Sequence, residues 1–166
     1  MRDLYSLECE DFSGTRIPAH FGFVYTNDKD AYFFRFTSKV KNKEGQDLNL
    51  LMDNKSNLIF TKNLFLDEED KYPKTYLSLE VLKMDKEDFF ANARLIEDGY
   101  ITNKGNRRYL NYEALKDCLQ MICTLIKTSQ YIVYERKGGI NQRVSISVKE
   151  EICILSSFER SFTEVL

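Results

Sequence analysis

A chain of 166 residues with 43% hydrophobic and 30% charged residues has the composition of an ordinary folded domain, long enough to bury a core without disulfide staples. A net charge of −2 excludes a globally basic nucleic-acid or membrane-surface binder, so any polyanion must be met by a local patch. Four dispersed cysteines with no C-x-x-C pair, and one histidine, argue against a zinc site and for reduced, buried thiols; no metal or cofactor is expected. No apolar run is long enough to span a bilayer and the N-terminus carries no signal-type apolar core, so a cytoplasmic protein without membrane contact is expected.

In chain order, residues 3–9 (DLYSLEC) alternate as a short strand, with DFSGTRIP as its exit loop. HFGFVYT and AYFFRFT follow as two aromatic, β-branched strands, joined through Asn27, Asp28, Lys29 and Asp30, all turn-forming types. Residues 39–57 are charged and Asn-rich and read as a long excursion. LIF is a short strand, the acidic run from Asp67 to Asp70 a solvated loop, and TYLSLEVLKM a well-alternating strand.

Asp85 is suited to cap a helical turn, DKEDFFANA, whose acids lie in its first turn. RLIEDGYIT reads as extended around Gly99 and NKGNRR as a basic turn. Asn111 caps the clearest helix, YEALKDCLQMICTLIKT, with Leu115, Leu119, Ile122 and Ile126 at helical spacing. YIVYER and QRVSISV form a hairpin around a Gly-Gly loop. From Lys149, Ile152, Leu155, Phe158 and Phe162 predict a terminal amphipathic helix. The expected fold is α+β in one domain: a small, strongly bent antiparallel sheet or SH3-like barrel with two or three helices, the barrel core in residues 1–126 and a hairpin-and-helix extension in 130–166.

No phosphate-binding glycine loop, nucleophile elbow or histidine-rich metal motif is present, so chemistry would fall to Arg, Lys, hydroxyls or carboxylates. Three basic groups stand out: Lys39, Lys41 and Lys43; Arg107 and Arg108 with Lys104; and Arg136, Lys137 and Arg143 beside Tyr131 and Tyr134, where the rings offer stacking surfaces. The plain alternative for each is a solvated face, and His20 reads as a packed strand residue. In AYFFRFTS, alternation puts Tyr32, Phe34 and Phe36 on one face and Phe33, Arg35 and Thr37 on the other, with Ser38 at the end. If the first set faces the core, Arg35 and Thr37 share an open face close to Arg16. A forked cation beside a hydroxyl suits phosphodiester chemistry.

The succession RDLYSLECEDFSG, GTRIPAHFGFVY and FRFTSK resembles the MazF/PemK-like toxin endoribonucleases and, more distantly, the ToxN/AbiQ toxins. Residues 1–40 carry the likeness, and the chain to residue 126 extends it more loosely; Ile17 separates Arg16 from Pro18 where that family joins Arg to Pro. The resemblance implies a metal-independent endoribonuclease that cleaves single-stranded RNA through a 2′,3′-cyclic phosphate. Arg16 and Thr37 or Ser38 would be catalytic, and a neutralising antitoxin and a homodimer would be its partners. For RNA binding the candidates are Arg35, Lys39, Arg107, Arg108, Arg136 and Arg143. The competing expectation is a non-catalytic module that binds protein or nucleic acid, such as a phage-encoded inhibitor or accessory factor. A nucleotide-handling enzyme has only the basic hairpins behind it.

Overall fold

The computed structural model describes residues 4–7, 20–37, 58–61, 65–66, 75–96, 99–101, 107–128, 131–137 and 140–164. Among these lie eleven strands: β1 Leu4–Leu7, β2 His20–Thr26, β3 Asp30–Thr37, β4 Leu58–Thr61, β5 Phe65–Leu66, β6 Thr75–Asp85, β7 Ala93–Ile96, β8 Gly99–Ile101, β9 Arg107–Leu110, β10 Ile132–Lys137 and β11 Ile140–Val144. Three helices accompany them: α1 Lys86–Asn92, α2 Tyr112–Thr128 and α3 Val148–Glu164. The class is α+β, as expected.

The main sheet has eight strands in the order β11-β10-β6-β3-β2-β1-β7, with β4 also paired to β6. It is open, so the SH3-like barrel alternative does not hold. It is also mixed: β10 runs parallel to β6 while the other pairings are antiparallel. The expected antiparallel sheet therefore takes one parallel pair, because α2 carries the chain back before β10 begins. Through β10, the hairpin of residues 130–144 is built into the main sheet. A second, three-stranded sheet has the order β5-β9-β8. Arg107 and Arg108 thus open a strand rather than forming a turn.

Local chemistry accounts for the junctions. The Asn27 Oδ1 atom accepts from the backbone N–H groups of Lys29 (2.9 Å) and Asp30 (2.7 Å), which folds the β2–β3 turn. Asp85 caps α1 by accepting from the Asp88 N–H, and the Lys86 N–H reaches the Lys29 carbonyl at 2.9 Å, tying α1 to that turn. Asn111 caps α2 by accepting from the Ala114 N–H at 3.3 Å.

Both faces of the sheet carry apolar residues. On one face Phe23, Tyr32, Phe34, Phe36, Leu77, Val81 and Val133 pack against Leu115, Leu119, Ile122 and Ile126 of α2 and Ile154 and Phe158 of α3. Phe158 sets its ring edge against Phe34 at 4.9 Å between centroids, an arrangement favoured by ring quadrupoles. On the other face Leu7, Val24, Ala31, Phe33, Leu82 and Met84 gather around Phe89 of α1. The tail helix buries Phe158 and packs Leu155 on the core as expected, but Ile154 is buried in place of Ile152, which is 57% exposed.

Candidate functional site

Strand alternation in β10 decides which residues reach solvent away from the helices. Val133 is buried in the larger core, and its cross-strand partner Val144 packs against the same core. Tyr134 and Arg136 therefore stand on the opposite face. The register with β11 sets Arg143 directly across from Tyr134 and Asn141 directly across from Arg136. Four residues of one hairpin thus form a two-by-two array of a ring, an amide and two guanidiniums. No carboxylate occupies this face of β10 or β11. The Glu135–Lys137 pair, at 3.0 Å, belongs to the other face by alternation.

Toward the middle of the sheet the array continues. Tyr134 pairs with Leu82 and Ile132 with Glu80, both on β6. Arg35 lies 3.4 Å from Glu80 on the same face, beside a register shift between Phe34 and Phe36. Arg35, Arg136 and Arg143 therefore share one face across β3, β6, β10 and β11, a span of about 14 Å at the usual inter-strand spacing. Helix α1 begins at the Asp85 end of β6 and packs on β3, β6 and β7, so it takes up the neighbouring part of that face.

Of the expected site residues, Arg35, Arg136 and Arg143 come together. Arg35 is not the open cation that alternation suggested. Its side chain is only 19% exposed and is held by Glu80, while Phe33, two residues back on the same face, is fully buried under Phe89. The face was expected to be open because one covered side seemed sufficient; α1 covers part of the second. Thr37 closes β3 opposite Tyr76, but its side chain is outside the described residues, as are those of Arg107 and Arg108. Arg16, Ser38, Lys39, Lys41, Lys43 and Lys104, and the acidic run from Asp67 to Asp70, also lie outside them. Arg107 and Arg108 pair with Ile101 and Tyr100 in the second sheet.

A polar cluster on the helix-covered face escaped the sequence reading. Ser147 begins α3, its Oγ accepting from the Glu150 N–H at 3.1 Å. Glu150 in turn accepts a hydrogen bond from the Tyr32 hydroxyl and lies 3.6 Å from Lys83 Nζ. Lys83 also stands over the Tyr32 ring and 3.9 Å from Asp30. Next along, Glu151 accepts from the Tyr131 hydroxyl at 2.7 Å. Burial, then the glutamate bonds, push both tyrosines far above their ordinary range, so they keep their protons. The Tyr32 bond holds Glu150 below the ordinary carboxylate value. Protonated phenols bonded to carboxylates offer no nucleophile, and the cluster fastens the start of α3 to the sheet. Its sequence signal is the S-x-x-E capping box from Ser147 to Glu150.

Burial raises the Cys123 thiol to about 11, and Cys118 is buried too. Cys153 corrects the expectation of buried thiols, since it is exposed on α3. Among the described residues no cluster of His, Cys, Asp or Glu is arranged to hold a metal ion, and no helix is long and apolar enough to cross a membrane. Comparison with family models, with curated proteins and with solved structures gives no match.

Proposed function

We propose that this protein binds single-stranded RNA on the outward face of β10 and β11, and that Arg16 with Thr37 or Ser38 cleaves the bound strand. The observation that carries the binding is the array of Tyr134, Arg136, Asn141 and Arg143 on one face of β10 and β11, where neither strand places a carboxylate. Guanidiniums take phosphate with paired hydrogen bonds, and a flat ring accepts an unstacked base. Cleavage rests on the resemblance to toxin endoribonucleases. The ribose 2′-hydroxyl attacks the adjacent phosphorus, the bond to the 5′ oxygen breaks, and the proton lost by the nucleophile is balanced by one gained by the leaving oxygen. The products are a 2′,3′-cyclic phosphate and a 5′-hydroxyl end. Arg16 would steady the charge that develops on phosphate.

The pairing of Arg35 with Glu80 favours a second reading, in which the same face binds RNA without cutting it. End-labelled single-stranded RNA with EDTA present separates the two. If Arg16 is catalytic, Arg16→Lys and Arg16→Ala each lose cleavage on the order of 10²-fold while binding persists. Binding without cleavage by the wild-type chain establishes the non-catalytic module. An active toxin would also arrest growth on expression and be relieved by a co-expressed antitoxin; the homodimer belongs to this same reading.

A further inference from the structure

The two tyrosines near the second hairpin have different situations. Tyr131 packs against the larger core and gives its hydroxyl to Glu151 of α3. Tyr134 lies on the opposite face, only partly buried, with Leu82 beside it on β6 and Arg143 beside it on β11. Along its own strand Arg136 follows two residues on, about 6.6 Å away, with Asn141 across from it.

We infer that Tyr134 is the stacking platform of a one-nucleotide subsite, and that it makes this surface selective for single strands. This rests on the reading that the β10–β11 face binds RNA. A ring bracketed by neighbours on two flanking strands is fixed in position, so a base can lie on it at small entropic cost. Arg143, directly opposite, is placed to take the phosphate of the stacked nucleotide, and Arg136 the phosphate beside it. A base inside a duplex has both faces covered by its neighbours and cannot use the ring. The platform is indifferent to base sequence, because every base presents a π-face, and to the sugar, because stacking touches only the base.

Fluorescence anisotropy on the full chain tests this with a labelled single-stranded RNA, a DNA of the same sequence, an RNA duplex and an abasic strand. Tyr134→Phe, which keeps the ring, should restore the single-strand binding that Tyr134→Leu loses. Tyr134→Leu, which keeps apolar volume, and Tyr134→Ala should weaken both single strands by roughly 5- to 150-fold, the range that corresponds to loss of a stacked base, with no change on the abasic strand. Arg143→Ala should weaken all four probes and flatten the salt slope by about 0.7. Thermal melts confirm that each variant is folded. Unchanged RNA binding by folded Tyr134→Leu, with Arg143→Ala weakened, overturns the platform and leaves a purely electrostatic face. A wild-type chain that binds none of the probes overturns the RNA-binding reading itself.

Discussion

Gly22 of β2 sits opposite Arg35 of β3, where a Cβ atom would come within 2.3 Å of the Phe34 carbonyl oxygen and 2.7 Å of the Phe33 ring. Gly22→Ala must therefore displace both a strand backbone and a fully buried ring. The expected loss reaches at least the 1–3 kcal/mol or so typical of overpacked cores, read from the midpoint of urea unfolding. Glu150 governs a pH effect at the same scale. Its folded-state pKa lies below the ordinary 4.5, so its contribution is complete above that value and fades as pH falls through the lower, folded one. Wild type should thus lose stability on acidification below about pH 4.5 more steeply than Glu150→Gln, in parallel denaturation curves. Tyr32 and Tyr131 act with the opposite sign. Their raised values make their contributions complete below 10 and lost only as pH rises beyond it. Residue by residue, the sequence exposed what alternation can sort, such as Tyr32, Phe34 and Phe36 on one face of β3 and Phe33 on the other. It did not expose Tyr32 with Glu150, because a bond across 118 residues leaves no local pattern.

At the scale of elements, α3 separates what periodicity shows from what it leaves open. The helix and two members of its buried stripe, Leu155 and Phe158, were legible from apolar spacing, but the burial of Ile154 in place of Ile152 was not. Ile152, Ile154 and Leu155 are all apolar, so two stripes fit the same period equally well. The bonds of Glu150 to Tyr32 and of Glu151 to Tyr131 settle the rotation, turning Ile154 inward and Ile152 out. Phe158→Ala should cost about 3–5 kcal/mol, since the fully buried ring contacts both Phe23 and Phe34. Ile152→Ala should change stability by no more than about 0.5 kcal/mol. Equal losses in the two variants would mean that the helix packs with the expected stripe instead. The caps of α1 and α2 were legible at Asp85 and Asn111 because a side chain that bonds its own first turn is a local matter.

Across the whole molecule, the strand order depends on contacts far apart in sequence. Turn chemistry predicts that β2 meets β3 and β10 meets β11, whereas nothing local says that β10 lies parallel beside β6, some fifty residues earlier. That pairing makes the last part of the chain indispensable to the first. Removal of residues 130–166 would uncover the β10 side of β6 and strip Phe158 and Ile154 from the larger core. The shortened chain should aggregate, as an uncovered strand edge beside exposed apolar surface does, and should elute in the void volume of a sizing column. The alternation in the second hairpin carries a further consequence, for how this protein can change. Its inward positions answer to the core, whereas Arg143, exposed on the outward face, does not. Mutation can rewrite position 143 with little penalty in folding, so ligand preference in this chain can drift there, or be engineered, while the scaffold stays the same.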